Sequence, residues 1–236
     1  MLQSDNQRVS LAPPEAKGPL RRERLRTARL YLCCEARPNG EDPEALLAAA
    51  LRGGVDIVQL REKSLPRRDI ELAAQTFRRL CDNYSALFIV NDDPDLARSC
   101  DADGVHVGQD DLATDTARAL LGPEAIIGLS THSEEQIAAS AAAPVDYISV
   151  GPIWETPTKQ GRPAVGLELI SHAAANAPHP FFAIGGIDSS NAARVIEAGA
   201  QRLCVVRSIR DAANPVAAAE ALRGALAPLG QEAPGA

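Results

Sequence analysis

The 236-residue chain has few aromatic residues and no excess of positive charge. Phenylalanine, tryptophan and tyrosine together make up 3% of it, too little for the stacking platforms that bind single-stranded nucleic acid. The formal net charge of -7 also lacks the basic face that a nucleic-acid backbone requires. Both shortages predict that nucleic acid is not a partner of this protein.

Long apolar runs are also missing. No stretch of about 18 consecutive apolar residues occurs, so we expect no transmembrane helix. The N-terminus lacks the charged start and apolar core of a signal peptide. The five cysteines show no metal-ligand spacing, and the adjacent Cys33 and Cys34 are poor disulfide partners for each other. We therefore expect reduced thiols in a cytoplasmic protein without a membrane partner.

The chain does contain a regular alternation of strand and helix patterns. Short apolar runs alternate with segments whose apolar residues recur every three or four positions. The strands are predicted at 29–34, 56–60, 87–90, 104–107, 126–129, 147–150, 181–184 and 202–206. The helices are predicted at 42–52, 67–83, 94–99, 114–121, 133–142, 167–175, 189–198 and 215–226. This count predicts an α/β fold, a (β/α)8 or TIM barrel, with a doubly wound open sheet as the alternative.

The predicted barrel is a single domain that occupies residues 26–228. Residues 1–25 are polar and contain proline and several arginines, so we expect a flexible, disordered N-terminal extension. Residues 229–236 are expected to form a short fraying tail. In a barrel of this kind the loops that follow the strands all lie on one face, where active sites are found.

The second predicted strand ends in the sequence Gln59-Leu60-Arg61-Glu62-Lys63. Strand alternation places Gln59, Arg61 and Lys63 on one side. Two cations and an amide at a barrel mouth could bind a polyanion such as a diphosphate. The alternative is a charged strand end that meets water, with Glu62 neutralising a neighbouring cation.

Acidic and amide side chains follow the third and fourth predicted strands. Asp93 precedes Pro94 and is a natural helix N-cap, which leaves Asn91 and Asp92 for the barrel mouth. Asp111 follows the fourth strand. One carboxylate from each of two neighbouring loops is a common way to hold a Mg²⁺ ion that also contacts ligand phosphates. Helix capping alone is the alternative explanation of these acids.

The fifth strand leads into Ser130, His132 and Ser133. Ser133 and Gln136 are placed as a helix N-cap and a capping-box partner. Ser130 is then available to donate a hydrogen bond to a ligand. His132 has no visible partner for base catalysis, so we interpret it as a packing residue or as one that supports the site indirectly.

A long loop follows the sixth strand and carries Thr156, Thr158 and Lys159. Loops of this length are uncommon inside compact domains and are usually functional. Two hydroxyls and an amine suit an anionic ligand such as a phosphate. A solvated surface loop is the alternative.

Glycines and strand ends near the C-terminus suggest a phosphate site. Gly185 and Gly186 follow the seventh strand, and Val206 and Arg207 end the eighth. Paired glycines let backbone N–H groups approach an anion closely. Barrels often bind a phosphate at the loops that follow strands seven and eight.

Motifs in nearly every one of these loops resemble those of the thiamine-phosphate synthase family: QLREK, NDDPDLA, DGVHVGQDDL, GLSTHS, YISVGPIWETPTKQG, AIGGI and VVRSI. The resemblance extends over Leu30–Ser208. It implies a TIM-barrel transferase that joins 4-amino-2-methyl-5-hydroxymethylpyrimidine diphosphate to a thiazole phosphate, or its carboxylated form, and releases diphosphate. Magnesium is the implied cofactor, and small phosphorylated molecules are the implied partners.

The resemblance also assigns roles to individual residues. It implies a pyrimidine-diphosphate site formed by Gln59, Leu60, Arg61, Glu62, Lys63, Asn91, Ser130 and Lys159. It implies a thiazole-phosphate site formed by Thr156, Pro157, Thr158, Gly186, Val206 and Arg207. Asp92 and Asp111 resemble the Mg²⁺ ligands. The residues implied in catalysis are Arg61, Lys63, Ser130 and Lys159.

The chain departs from the family pattern at three places. Arg207 stands where family members often have serine, which is tolerable if the phosphate contact is a backbone N–H. Cys33-Cys34-Glu35 replaces the usual end of the first strand. Trp154 replaces a more usual phenylalanine, and we expect it to wall the pyrimidine pocket or to plug it from beneath.

Two rival functions share this barrel type. A thiazole tautomerase would need the thiazole-phosphate site but neither the diphosphate cations nor the metal carboxylates. A non-catalytic sensor of thiazole phosphate would also be free to lose them. Arg61, Lys63, Asp92 and Asp111 are all present, which favours the synthase.

Overall fold

Eight parallel strands close into a barrel in the computed structural model, which describes residues 17–156 and 163–226. Each strand pairs with the next along the chain, and the last pairs with the first. This closure confirms the predicted TIM barrel and rules out the open sheet. The strands are β1 Leu30–Cys34, β2 Ile57–Leu60, β3 Leu87–Asn91, β4 Gly104–Val107, β5 Ile126–Thr131, β6 Tyr147–Val150, β7 Phe181–Ile184 and β8 Leu203–Val205.

The α-helices within the described ranges surround the barrel or close one end of it. They are α1 Lys17–Thr27, α2 Glu44–Arg52, α3 Arg67–Tyr84, α4 Pro94–Ser99, α5 Thr114–Leu121, α6 Glu134–Ala139, α7 Glu168–Asn176, α8 Ala192–Glu197, α9 Arg207–Arg210 and α10 Pro215–Ala225. Helices α2 to α8 connect consecutive strands. Helix α9 is missing from the sequence prediction because its 4 residues are too short to show a helical period.

The strands are buried on both faces, as the near-continuous apolar runs predict. Every residue of β1 is buried. Tyr31 and Cys33 point into the barrel interior, where they pack with Tyr147 and Phe182. The alternate residues of β1, such as Leu32, pack outward against the helices. The barrel interior is therefore a packed core beneath the mouth.

Helix α1 closes the N-terminal end of the barrel. Its Leu25 is only 4% exposed and packs into the interior cluster. Its Arg21 donates from Nε to Oδ1 of Asp103, just before β4, at 2.9 Å. The expected disorder of residues 1–25 is therefore wrong for residues 17–25. Their overall polarity suggested disorder, but Leu25 is buried and Arg21 forms a nearly buried ion pair with Asp103. Residues 1–16 and the predicted tail 229–236 lie outside the described residues.

An aspartate precedes each of β2, β4 and β6 at this same end of the barrel. Each carboxylate accepts a backbone N–H from the preceding strand, and the pairs are Asp56 with Leu30, Asp103 with Phe88, and Asp146 with Ile127. Each carboxylate also pairs with an arginine from a helix, namely Arg223, Arg78 and Arg118 in the same order. These contacts lie opposite the mouth, where barrel residues serve stability.

Candidate active site

A cavity of about 370 Å³ opens at the carboxyl ends of the strands. Its size suits a small-molecule ligand. Eight of the predicted substrate residues line it: Gln59, Arg61, Asn91, Ser130, Thr156, Gly186, Val206 and Arg207. They come from loops far apart in sequence, and the closed barrel brings them to one mouth.

The predicted diphosphate cations lie at the end of β2. The backbone N–H of Arg61 donates to the carbonyl of Cys34 at 2.8 Å, which continues the pairing of β2 with β1 past the last strand residue. This bond holds the half-buried Arg61 at the cavity wall. Lys63 is exposed at the rim, and its Nζ lies 3.5 Å from Oδ2 of Asp92.

The side chains of Leu60 and Glu62 lie apart from the other predicted substrate residues. Leu60 is 1% exposed and packs in the outer core between strands and helices. The Glu62 carboxylate accepts hydrogen bonds from the backbone N–H groups of Lys63, Ser64 and Ala36. Glu62 therefore shapes the loop after β2, which is a structural role that the charge pattern did not reveal.

Asp92 and Asp111 form a pair of carboxylates beside the cavity. Burial raises the pKa of Asp92 above its usual value, and the neighbouring Asp111 charge raises it further. Asp92 has a left-handed backbone (φ 62°) and accepts from Nδ2 of Asn91 at 2.5 Å. The backbone N–H of Gly108 donates to Asp111 at 3.0 Å. Two such oxygen donors fit Mg²⁺, which typically binds one or two carboxylates and substrate phosphates. No group of three or more metal-binding side chains occurs within 17–156 and 163–226.

The opposite wall of the cavity is made largely of backbone. Gly185 and Gly186 have φ values of 111° and 69°, which side chains rarely adopt. A Cβ on Gly185 would lie 2.5 Å from Cα of Pro152. Val206 and Arg207 line the same wall, and the Arg207 side chain is exposed. The arrangement suits a phosphate held by backbone N–H groups.

Trp154 does not wall the cavity, contrary to the sequence expectation. It packs against the outer core, and the guanidinium carbon of Arg194 lies 5.8 Å from its ring centroid. Pro152 and Thr156, which belong to the same loop, line the cavity instead. The expectation came from the family motif, which gives the place of Trp154 in the chain but not the direction of its side chain.

The predicted helix caps are confirmed. The Asp93 side chain accepts from the backbone N–H of Leu96, and Ser133 accepts from that of Gln136. The Gln136 side chain accepts from the backbone N–H of His132 at 2.7 Å, one residue before the capping-box position. Nδ1 of His132 contacts the carbonyl oxygen of Gly151, so His132 supports the loop after β6.

A layer of nearly buried polar side chains, which was not predicted from the sequence, forms the floor of the cavity, and Tyr31, His106 and Ser149 are part of the cavity lining. Its members include Tyr31, His106, Tyr147 and Ser149, which are at most 7% exposed. His106 lies 3.0 Å from both the hydroxyl of Tyr147 and that of Ser130. A possible signal was the presence of hydroxyl and imidazole groups inside strands that are otherwise apolar.

Three predicted site residues, Pro157, Thr158 and Lys159, lie outside the described residues. The five cysteines form no disulfide within the described residues, and four of them are buried. Within the described ranges, no helix combines the length and apolar character needed to cross a bilayer.

The fold and the cavity define a class of protein. The chain is a TIM-barrel protein whose cavity is lined by arginines, amides, hydroxyls and glycine-rich backbone, a combination suited to phosphorylated small molecules. Lys63 and the Asp92–Asp111 pair are not part of this lining and lie next to it, beside the lining residue Asn91.

Comparison with known proteins identifies the family. The family model described as thiamine monophosphate synthase matches residues 30–209. A thiamine-phosphate synthase of Thermobifida fusca is 50% identical over 204 residues, covering 86% of this chain and 94% of that protein. A thiamine-phosphate synthase of Mycobacterium tuberculosis is 48% identical over 214 residues, covering 86% and 96%. The chain belongs to the thiamine-phosphate synthase family, a family of transferases, which confirms the resemblance found in its motifs.

Solved structures agree with this assignment. A thiamine phosphate pyrophosphorylase from Pyrococcus furiosus superposes with a TM-score of 0.77 at 31% identity, covering 85% of this chain and 96% of that one. A 3-hexulose-6-phosphate synthase superposes with a TM-score of 0.61 at 19% identity, covering 84% and 100%. The second likeness shows the barrel fold alone.

Proposed function

We propose that this chain catalyses the synthesis of thiamine phosphate. The substrates are 4-amino-2-methyl-5-hydroxymethylpyrimidine diphosphate and 4-methyl-5-(2-phosphoethyl)thiazole, or the carboxylated form of the thiazole. The observation that carries this proposal is the convergence of Gln59, Arg61, Asn91 and Ser130 with Gly186 and Val206 on one cavity. The pyrimidine diphosphate requires cations for its diphosphate group, and the thiazole phosphate requires a phosphate-binding site made of backbone N–H groups. This mouth has groups suited to both.

The pyrimidine diphosphate belongs at the β2, β3 and β5 side of the mouth. Gln59 and Ser130 are 5% and 3% exposed, and both line the cavity floor. Side chains buried to this degree are fixed in position, so they can orient a heteroaromatic ring through hydrogen bonds. Arg61 stands above them at the same strand end, where its guanidinium can bind the diphosphate oxygens.

The proposed reaction breaks the bond between the methylene carbon and the diphosphate oxygen. Diphosphate leaves with the electron pair, and the resulting pyrimidinylmethyl cation is captured by the lone pair of the thiazole nitrogen. This path requires neither a strong base nor a covalent nucleophile. Its demands on the protein are stabilisation of the departing negative charge, which we assign to Arg61, Lys63 and Lys159, and close placement of the two reactants.

Asp92 and Asp111 are proposed to hold Mg²⁺. When bound there, the ion would neutralise charge on the departing diphosphate. Burial, and then the Asp111 charge, raise the pKa of Asp92, and this supports the assignment because a bound cation would offset both the buried charge and the repulsion between the two carboxylates. Lys63 contacts Asp92 directly and therefore lies where the diphosphate and the carboxylate pair would meet.

The thiazole phosphate belongs at the opposite wall. Gly186, Val206 and Arg207 line it, and Thr156 reaches the cavity from the loop after β6. The positive φ of Gly186 turns its peptide in a way that other residues rarely allow. Backbone contacts of this kind tolerate the replacement of serine by Arg207, whose charge adds to the attraction for phosphate.

An assay with both substrates tests the proposal. Purified protein should convert the two substrates into thiamine phosphate and diphosphate in equal amounts, and a chelator should abolish turnover. The Arg61→Ala variant should lose most of this activity, whereas Arg68→Ala, an exposed position nearby on α3, should keep it. Isomerisation of the thiazole without consumption of the pyrimidine diphosphate would favour a tautomerase. Binding of thiazole phosphate without any turnover would favour a sensor.

The proposed surroundings of the enzyme follow from its composition. Five thiols and the absence of a disulfide within the described residues suit the reducing cytoplasm. The net charge of -7 gives no basic face for nucleic acid, so small phosphorylated molecules are the proposed partners.

A further inference from the structure

Arg29, which precedes β1 at the end of the barrel opposite the mouth, has a nearly buried side chain without a partner. The residue is 7% exposed, and its Nε is buried and makes no hydrogen bond. Within residues 17–156 and 163–226, the Arg29 guanidinium forms neither a hydrogen bond nor an ion pair. Buried charges in proteins are normally paired, because their removal from water is costly. The orphaned guanidinium therefore indicates a partner from outside the described chain.

A second arginine lies beside Arg29, across the seam where the last strand pairs with the first. The backbone N–H of Leu203 donates to the Arg29 carbonyl at 2.9 Å, which makes Arg202 the neighbour of Arg29 at the start of β8. Nε and Nη2 of Arg202 donate to the carbonyls of Ala28 and Arg26, both at 3.2 Å. These bonds fix the Arg202 guanidinium against the C-terminal end of α1. Its Nη1 has no hydrogen-bond partner among the described residues and is not buried.

A third arginine and one carboxylate complete a group that we call the seam cluster: Arg29, Arg202, Arg223 and Asp56. Oδ2 of Asp56 accepts the backbone N–H groups of Arg29 and Leu30, at 2.7 Å and 2.9 Å. The same oxygen also accepts from Nη1 of Arg223. One carboxylate, with one oxygen already holding three donors, therefore faces three guanidinium groups.

The arginines of the seam cluster repel one another. Burial lowers the pKa of Arg29, the Arg223 charge lowers it further, and the opposing effect of Asp56 does not reverse the shift. Burial and the Arg29 charge also lower the pKa of Arg202. Arginine keeps its proton at physiological pH, so the repulsion persists in the folded protein. Water can hydrate the terminal nitrogens, but only an anion can neutralise the excess charge.

We propose that the seam cluster binds a small oxyanion, such as phosphate or sulfate, at the end of the barrel opposite the mouth. The terminal nitrogens of Arg29 and Nη1 of Arg202 supply the N–H donors, and the planar fork of a guanidinium matches the spacing of two oxyanion oxygens. The low exposure of Arg29 leaves a narrow approach, which favours a small inorganic ion. The bound ion would join the starts of β1 and β8 and so stabilise the closure of the barrel.

Thermal unfolding of the full-length protein tests this site. Tm is measured in phosphate, in sulfate and in chloride at the same ionic strength, for the parent protein and for Arg29→Met, which keeps a long side chain without the charge. Phosphate or sulfate at about five times its Kd should raise the Tm of the parent by about 2–4 °C more than that of Arg29→Met. Binding at the mouth and general salt effects are common to both proteins and cancel in this comparison.

The matched control is Arg52→Met, which removes an exposed arginine at the C-terminal end of α2. Its response to phosphate and sulfate should equal that of the parent, because a loss of one surface charge far from a specific site matters little. If the Tm difference between the parent and Arg29→Met is the same in chloride, phosphate and sulfate, the proposal is overturned. The Arg29 guanidinium would then serve packing and hydration alone.

An NMR titration of the parent protein needs no substitution, and it decides the question if Arg29→Met does not fold. Added phosphate should shift the backbone amide signals of Arg29, Leu30 and Leu203, in addition to any signals that shift at the mouth. Shifts confined to mouth residues such as Gly186 and Arg207 would overturn the proposal. Neither experiment measures turnover, so a protein that makes no thiamine phosphate would contradict the proposed function and leave the seam cluster untouched.

Discussion

The Nζ atom of Lys63 lies 3.5 Å from Oδ2 of Asp92 at the rim of the cavity. A cation assigned to the diphosphate therefore contacts a carboxylate assigned to the metal ion. The two assignments depend on each other electrostatically, because Lys63 partly offsets the burial and the Asp111 charge that raise the pKa of Asp92. Ligand and ion are thus expected to bind cooperatively at this rim.

The Asp92→Asn variant should be more stable than the parent protein but less active. It removes a partly buried charge that faces Asp111, and asparagine tolerates the left-handed backbone at this position. In the presence of a chelator we expect Tm to rise by about 2–4 °C, the shift that about 1 kcal/mol produces in a domain of this size. Magnesium-dependent kcat should fall about 10²-fold or more. Asp95→Asn, an exposed change on α4, should alter neither quantity, and a lower Tm for Asp92→Asn would contradict the repulsion.

Replacement of Lys159 tests the stabilisation of the departing diphosphate. Its assignment rests on the family motif and on its place in the loop after β6. We expect Lys159→Ala to lower kcat by about 10²-fold or more, the scale observed when one charge-stabilising donor is removed. Steady-state kinetics with both substrates measures the change. An unchanged kcat would remove Lys159 from the chemistry.

Substitution of Gly128 tests the fit between His106 and Tyr147. A methyl group at this position would lie 2.2 Å from Cζ of Tyr147, so the rings must move apart. Overpacking of this kind costs about 1–3 kcal/mol, and we expect Gly128→Ala to lose at least that much stability. Urea unfolding, followed by the fluorescence of the single tryptophan, measures the loss. Gly224→Ala meets nothing within 4 Å on α10 and should instead stabilise by about 0.5–1 kcal/mol.

The ion pair of Arg21 with Asp103 tests the role of helix α1. Both side chains are nearly buried, at 11% and 8% exposure, and Arg78 pairs with the same carboxylate. Removal of one partner of a buried pair costs about 3 kcal/mol or more, so Asp103→Asn should destabilise the protein by that amount. Asp101→Asn disrupts the exposed pair with Lys17 and should cost less than about 1 kcal/mol. Equal losses of unfolding free energy in the two variants would mean that the nearly buried pair with Asp103 stabilises the protein no more than the exposed pair with Asp101 does.

Most of the candidate site could be predicted from sequence because it lies at strand ends. Gln59 and Ser130 follow the alternation of short strands, and the order of the strands tells which loops share a face. The family motif did not predict the direction of the Trp154 side chain, which lies in an irregular loop after β6 and packs against the outer core. Nor did the motif reveal that the Glu62 carboxylate accepts hydrogen bonds from the backbone of its own loop.

The amino-acid sequence alone determined the class of fold, the family and the identity of the residues at the mouth, because these depend on periodic local patterns and on motifs that survive in the linear chain. Tertiary structure decided that the sheet closes, that α1 seals the opposite end, and that Tyr31, Tyr147, His106 and Ser130 join in one buried chain. Those contacts link residues up to 116 positions apart, and only the curvature of a closed barrel brings such side chains within hydrogen-bonding distance.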